Sequence, residues 1–165
     1  MSLAFEQSHI VVPPDGRQSA HAAAIQRGVG RLLRSYGFAV VTELGLGNGR
    51  RADVVGLSRD GQVWIVEIKS SVQDFRVDLK WPEYRASCDR LFFATHADVP
   101  LEIFPADTGL VLADSFGGEL IRNAPEHRMA SARRRQMLVR FAQAAALKLH
   151  SLVDPGAAGD LFSFA

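Results

Sequence analysis

Three charged residues interrupt two neighbouring apolar runs, and they limit what this chain can fold into. The runs are Arg51-Ala-Asp53-Val-Val-Gly-Leu57 and Val63-Trp-Ile-Val-Glu67-Ile-Lys69, joined by a short loop. Their Val, Ile, Leu and Trp content, with almost nothing polar on either face, predicts two strands covered on both sides. A charge set into such a strand is costly unless it is paired or holds a metal.

The loop Arg59-Asp60-Gly61 allows two registers. A two-residue Asp60-Gly61 turn sets Asp53 opposite Ile68 and sends the Asp53 and Glu67 side chains to opposite faces. A three-residue loop, with Gly61 in the left-handed conformation, sets Asp53 opposite Glu67. Only the second brings the carboxylates side by side, with Lys69 and Arg51 sharing their face by strand alternation.

Carboxylates at cross-strand distance raise each other's pKa, a conflict that a divalent cation between them resolves. Such oxygen ligands suit Mg2+ or Mn2+, with water and a substrate phosphate filling the shell. Lys69 is then placed to orient or deprotonate a water, or to neutralise charge developing on phosphorus. The constellation reads as metal-assisted phosphodiester hydrolysis. It reads equally as a salt-bridged cluster in which Lys69 and Arg51 neutralise Asp53 and Glu67.

Asp53 followed by Glu67-Ile68-Lys69 at the end of the next strand, behind a leading helix and strand, resembles the PD-(D/E)XK nuclease superfamily. More closely, Arg50-Arg51-Ala52-Asp53, Val66-Glu67-Ile68-Lys69-Ser70-Ser71 and Asp78-Leu79-Lys80-Trp81-Pro82-Glu83-Tyr84 resemble the MmcB family of bacterial proteins linked to DNA repair, over Ser19 to Arg122. The resemblance implies a restriction-endonuclease-like core, DNA as partner, Mg2+ or Mn2+ as cofactor, Asp53, Glu67 and Lys69 as catalytic residues, and Glu43 as a further metal ligand. Many superfamily members carry another acid on the first helix. This chain has no Asp or Glu between Asp15 and Glu43, so Gln26 or Glu43 stands in, and Ala52 replaces the proline of the motif. The alternative is a non-catalytic module that keeps the nuclease fold and binds DNA or a repair partner.

At 165 residues, 47% hydrophobic, the chain is long enough for a single domain with its own core. The expected division is an irregular lead-in over 1–17, a core with its C-terminal helix over 18–152, and a tail over 153–165. The net charge of +1 does not announce a nucleic-acid partner, but its distribution is uneven. No Lys or Arg lies between Arg90 and Arg122, whereas the stretch from Arg122 to Lys148 holds Arg128, Arg133, Arg134, Arg135 and Arg140 against Glu126 alone. That basic segment suits phosphate contact or a solvated helix face. The lone Cys88 excludes an internal disulfide and a multi-cysteine zinc site. With no basic stretch before an apolar run and no membrane-length segment, a cytoplasmic protein without a membrane partner is expected.

Apolar spacing at Ala22, Ile25, Val29, Leu32, Leu33 and Tyr36 predicts a helix from Ser19 to Tyr36 with Gly37 as its C-cap. Phe38 to Leu44 reads as a strand and 45–49 as a turn. Ser70 or Ser71 caps a short helix, and Pro82 suits the first turn of another that runs to Asp89. Leu91 to Thr95, Gly109 to Ala113 and Glu119 to Arg122 are strands, the last two a hairpin. Asn123-Ala-Pro125-Glu126 predicts the start of a final helix, with a buried stripe of Leu138, Phe141, Ala142, Ala145 and Leu149. The sum is an α/β fold: a central mixed β-sheet flanked by the first helix and a long C-terminal helix.

Trp81 and Tyr84, beside Lys80 and Arg85, suit either stacking on unpaired bases or core packing. Arg51, Gln26, Lys80, Trp81 and Tyr84 are therefore the candidate nucleic-acid contacts. The five histidines show no ligand spacing. In the tail, Asp160-Leu161-Phe162 resembles the end of the short peptide by which bacterial repair proteins dock on the sliding clamp; folding back on the chain's own surface is the other reading.

Overall fold

The computed structural model describes residues 19–156. Ser19 caps the first helix, α1 (Ala20–Ser35), its hydroxyl accepting from Ala22 N. Ile25, Val29, Leu32 and Leu33 form the buried stripe, and Gly37 reverses the chain at φ 84°. Tyr36, expected inside, is exposed because the helix ends one residue earlier.

Six strands follow: β1 (Ala39–Gly45), β2 (Arg51–Leu57), β3 (Val63–Ile68), β4 (Arg90–Thr95), β5 (Gly109–Ala113) and β6 (Gly118–Arg122). They form one sheet in chain order. The first three and the last two pair antiparallel, while β3, β4 and β5 run parallel. The parallel β3–β4 connection carries α2 (Val72–Val77), capped by Ser71, and a 3-10 stretch (Trp81–Ser87) with Pro82 at its start.

Helices cover both faces, as strands apolar on both sides require. On one face, Ile25, Val29 and Leu33 of α1 pack on Val54, Val66, Phe92 and Val111. On the other, Met137 and Phe141 of α3 (Ser131–Val153) join Val55, Ile65, Leu91 and Tyr84. Phe75 and Trp81 pack against Phe93, which lies with Phe104 in a third apolar cluster.

The last helix differs from expectation at two points. It begins at Ser131, not at Asn123, because the chain from 123 to 130 is held across the end of the sheet where β4 starts: Ala124 and Met129 are buried, Arg90 donates to Ala124 O, and His127 N donates to Asp89 O. Its buried stripe is Met137 and Phe141 with Ala144 and Ala145 half-buried, while Ala142 and Leu149 are exposed. Two cations set this rotation. Arg134 clasps the buried Asp89 through both guanidinium nitrogens, at 2.6 and 2.9 Å, and Lys148 reaches Thr42 O on β1. Arg134 and Lys148 are thus fasteners of the helix rather than free phosphate contacts.

Candidate active site

The β2–β3 hairpin adopts the three-residue loop. Ser58 N donates to Gln62 O, Gly61 N donates to Ser58 O, and Gly61 has φ 86°. The ladder pairs Val55 with Ile65 and ends with Val54 opposite Val66; beyond it Asp53 and Glu67 meet through side-chain contacts rather than a backbone pair. The backbone ties them further: Asp53 N donates to Glu67 Oε1 at 3.2 Å, and Ile68 N donates to Asp53 Oδ2 at 2.8 Å. Each carboxylate spends one oxygen on these bonds. The second oxygen of each, Asp53 Oδ1 and Glu67 Oε2, has no hydrogen-bond donor among the described residues.

Strand alternation puts Glu67 and Lys69 on the face of Ile65, beneath the 3-10 stretch. Burial holds the Glu67 carboxyl well above its ordinary range, and the adjacent Asp53 adds to the shift. Burial likewise raises Asp53, partly offset by the Ile68 N–H, with Glu43 raising it further. Lys69 is near enough to oppose both shifts. Its own ammonium is buried and lies 2.6 Å from Asp78 Oδ2. Asp78 was legible only as part of the wider motif, because its partnership with Lys69 spans the intervening α2.

A third acid lies near Asp53. Thr42 pairs with Val54 and Leu44 with Ala52, which brackets Glu43 opposite Asp53. Glu43 is the one non-glycine among the described residues at positive φ, 55°, a conformation costing about 1–3 kcal/mol that gathers at functional sites. Gln26 of α1 donates to Glu43 Oε1 at 3.2 Å, so the two residues expected to replace the missing first-helix acid do meet. Arg51 Nε stands 2.6 Å from Glu43 Oε2 and offsets its charge.

The Asp53 and Glu67 carboxylates, in mutual repulsion and each with an oxygen to spare, fit a hard divalent cation. Among the described residues no three His, Cys, Asp or Glu side chains are gathered closely enough to enclose an ion alone. Two carboxylates from the chain, with water and phosphate completing the shell, match the way magnesium is usually held.

The other candidates divide. Tyr84 is buried, and its hydroxyl donates to Arg51 O at 3.1 Å, so its ring belongs to the core and offers no stacking platform. Trp81 is half-buried, edge-on to Phe93 at 5.4 Å, with the Arg85 guanidinium 5.1 Å from its ring. Lys80 and Arg51 are exposed at the rim, and Arg50 pairs with Glu83 at 2.8 Å. Two histidines with no sequence spacing meet at the same end of the sheet: the rings of His21 and His96 are 4.9 Å apart, and His96 Nε2 lies 2.9 Å from Ser70 O. The clamp-like segment 160–162 and the lead-in 1–17 lie outside the described residues.

A six-stranded mixed sheet between helices, with Asp53 and Glu67 in contact on the interior strands β2 and β3 and the buried Lys69 just beyond β3, defines an α/β protein. The family model described as DNA repair protein MmcB-like matches residues 11–156, and the chain belongs to that family. No curated protein matches it. A solved structure, the SPO1766 protein of unknown function from Silicibacter pomeroyi, is similar at 41% identity and a TM-score of 0.82, covering 85% of this chain and 96% of that one. Among the described residues no helix is long and apolar enough to cross a membrane.

Proposed function

We propose that this protein is a metal-dependent DNA phosphodiesterase of the PD-(D/E)XK type acting in repair. The observation that carries the reading is the contact between the two acids, Asp53 N donating to Glu67 Oε1 and Ile68 N to Asp53 Oδ2, with the buried Lys69 close by. Asp53 and Glu67 hold Mg2+ or Mn2+ through their spare oxygens, and Glu43 supports the site from β1. A bound ion lowers the pKa of a coordinated water and stabilises charge on the phosphate. Lys69 orients the attacking water or offsets the negative charge that develops on phosphorus. Asp78 fixes the ammonium in position, and the exposed Lys80 meets the DNA backbone.

A second reading keeps the fold and the DNA but not the cleavage. It is favoured by Gln26, an amide where related nucleases place an acid on the first helix, and by the engagement of Glu43 with Arg51. Incubation with Mg2+ or Mn2+ and single-stranded, duplex or branched DNA separates the two. Cleavage by the wild type that Glu67→Gln and Asp53→Asn abolish supports the enzyme. Binding to the same DNAs without cleavage leaves the module.

A further inference from the structure

The rim of the site is the segment Arg76-Val77-Asp78-Leu79-Lys80, and it is pinned at three points. Phe75 packs edge-on against Phe93 and Phe104 at 5.4 and 5.1 Å. Asp78 is tied to Lys69 Nζ at 2.6 Å and accepts from Lys80 N at 3.3 Å. Trp81 packs on Phe93. The residues between these pins are turned outward: Val77 is 67% exposed and Leu79 83%, with Arg76 and Lys80 exposed on either side. Leu79 is the most exposed large apolar side chain among the described residues. A braced loop that leaves leucine in water does so at a cost that its own packing does not repay.

Apolar side chains flanked by cations match DNA at a broken base stack, where the cations meet phosphates and an aliphatic wedge fills the opened step. We propose that Leu79, backed by Val77, is such a wedge, and that it directs the protein to DNA holding an unpaired or unstacked base. The proposal rests on the DNA-binding part of the functional reading and not on cleavage. Because Asp78 joins the wedge to Lys69, insertion at Leu79 registers the neighbouring phosphodiester against the acids.

The test is binding, in metal-free buffer, of the full chain to matched 2-aminopurine DNAs: an intact duplex and one with a single-base bulge. The wild type is expected to prefer the bulge by about tenfold and to raise 2-aminopurine fluorescence. Leu79→Ser, at an exposed position and checked for folding by circular dichroism, should lose both effects while intact-duplex affinity stays within about twofold. Arg76→Ala and Lys80→Ala should instead weaken binding to both DNAs and lower the salt slope by about one each. Equal selectivity in wild type and Leu79→Ser overturns the wedge, as does a wild type that binds neither DNA. Bulge selectivity without nuclease activity leaves the wedge standing and removes the enzyme.

Discussion

The Lys69 ammonium sits 2.6 Å from the Asp78 carboxylate, with both side chains largely withdrawn from water. The lysine that ends β3 is therefore held by an acid from the far side of α2, so removing either partner disturbs one unit. Asp78→Asn should destabilise the fold by about 1–3 kcal/mol and slow metal-dependent cleavage. Lys69→Ala should slow cleavage more while retaining metal affinity. The double variant should cleave no more slowly than Lys69→Ala alone. Single-turnover rates and denaturant midpoints on the four proteins check this, and independent, multiplying rate effects would count against the coupling.

Burial, with Asp53 alongside, raises the Glu67 carboxyl above the ordinary glutamate range. The folded protein therefore keeps a proton that the unfolded chain has already lost. This group's contribution to stability falls as pH rises from the ordinary range through the raised folded value. In metal-free buffer Glu67→Gln should be more stable than wild type by about 1 kcal/mol or more at neutral pH, and the gain should vanish near pH 4. Urea denaturation across that range reads the difference directly. A variant less stable than wild type at neutral pH would show that the pair is not in conflict.

Much of this arrangement was legible in the sequence because the turn residue sets the register of the hairpin. Once Gly61 takes the left-handed turn, Val54 pairs with Val66 and the chain brings Asp53 and Glu67 into contact just beyond. The two apolar runs, the capped first helix and the six strands followed from periodicity and turn residues in the same way. Less accessible were features fixed by long-range contact. Asn123-Ala-Pro-Glu carries a helix-start pattern, yet the hydrogen bonds of Ala124 O and His127 N keep that stretch extended against the sheet. The buried stripe of α3 turned toward Met137 because Arg134 and Lys148 found partners far away in sequence, Asp89 just before β4 and Thr42 on β1. Tyr84 suited core packing more readily than bases, and its buried ring, with the hydroxyl on Arg51 O, belongs to the core.

Asp89 is 2% exposed, and burial alone would raise its carboxyl, but Arg134 and the Val63 N–H hold it below the usual range. Its stabilising contribution is present above the ordinary carboxylate range and is lost as pH falls through the depressed folded value. Arg134→Ala should therefore cost about 3 kcal/mol at neutral pH, because it strands a buried charge. Arg135→Ala, at an exposed position one residue on, should change stability by less than about 0.5 kcal/mol. Thermal melts of the two variants make the comparison. Equal effects would mean that the arginines form a solvated helix face after all.

The central claim is that the Asp53–Glu67 pair holds a divalent cation. Isothermal titration of Mn2+ into the metal-free protein, in two buffers of different ionisation enthalpy, tests it most directly. Because both carboxyls are raised, binding should release protons, weaken as pH falls, and disappear in Asp53→Asn and Glu67→Gln. Wild-type protein that takes up no Mn2+ at millimolar concentration, or variants that bind it as well as wild type does, would contradict the account.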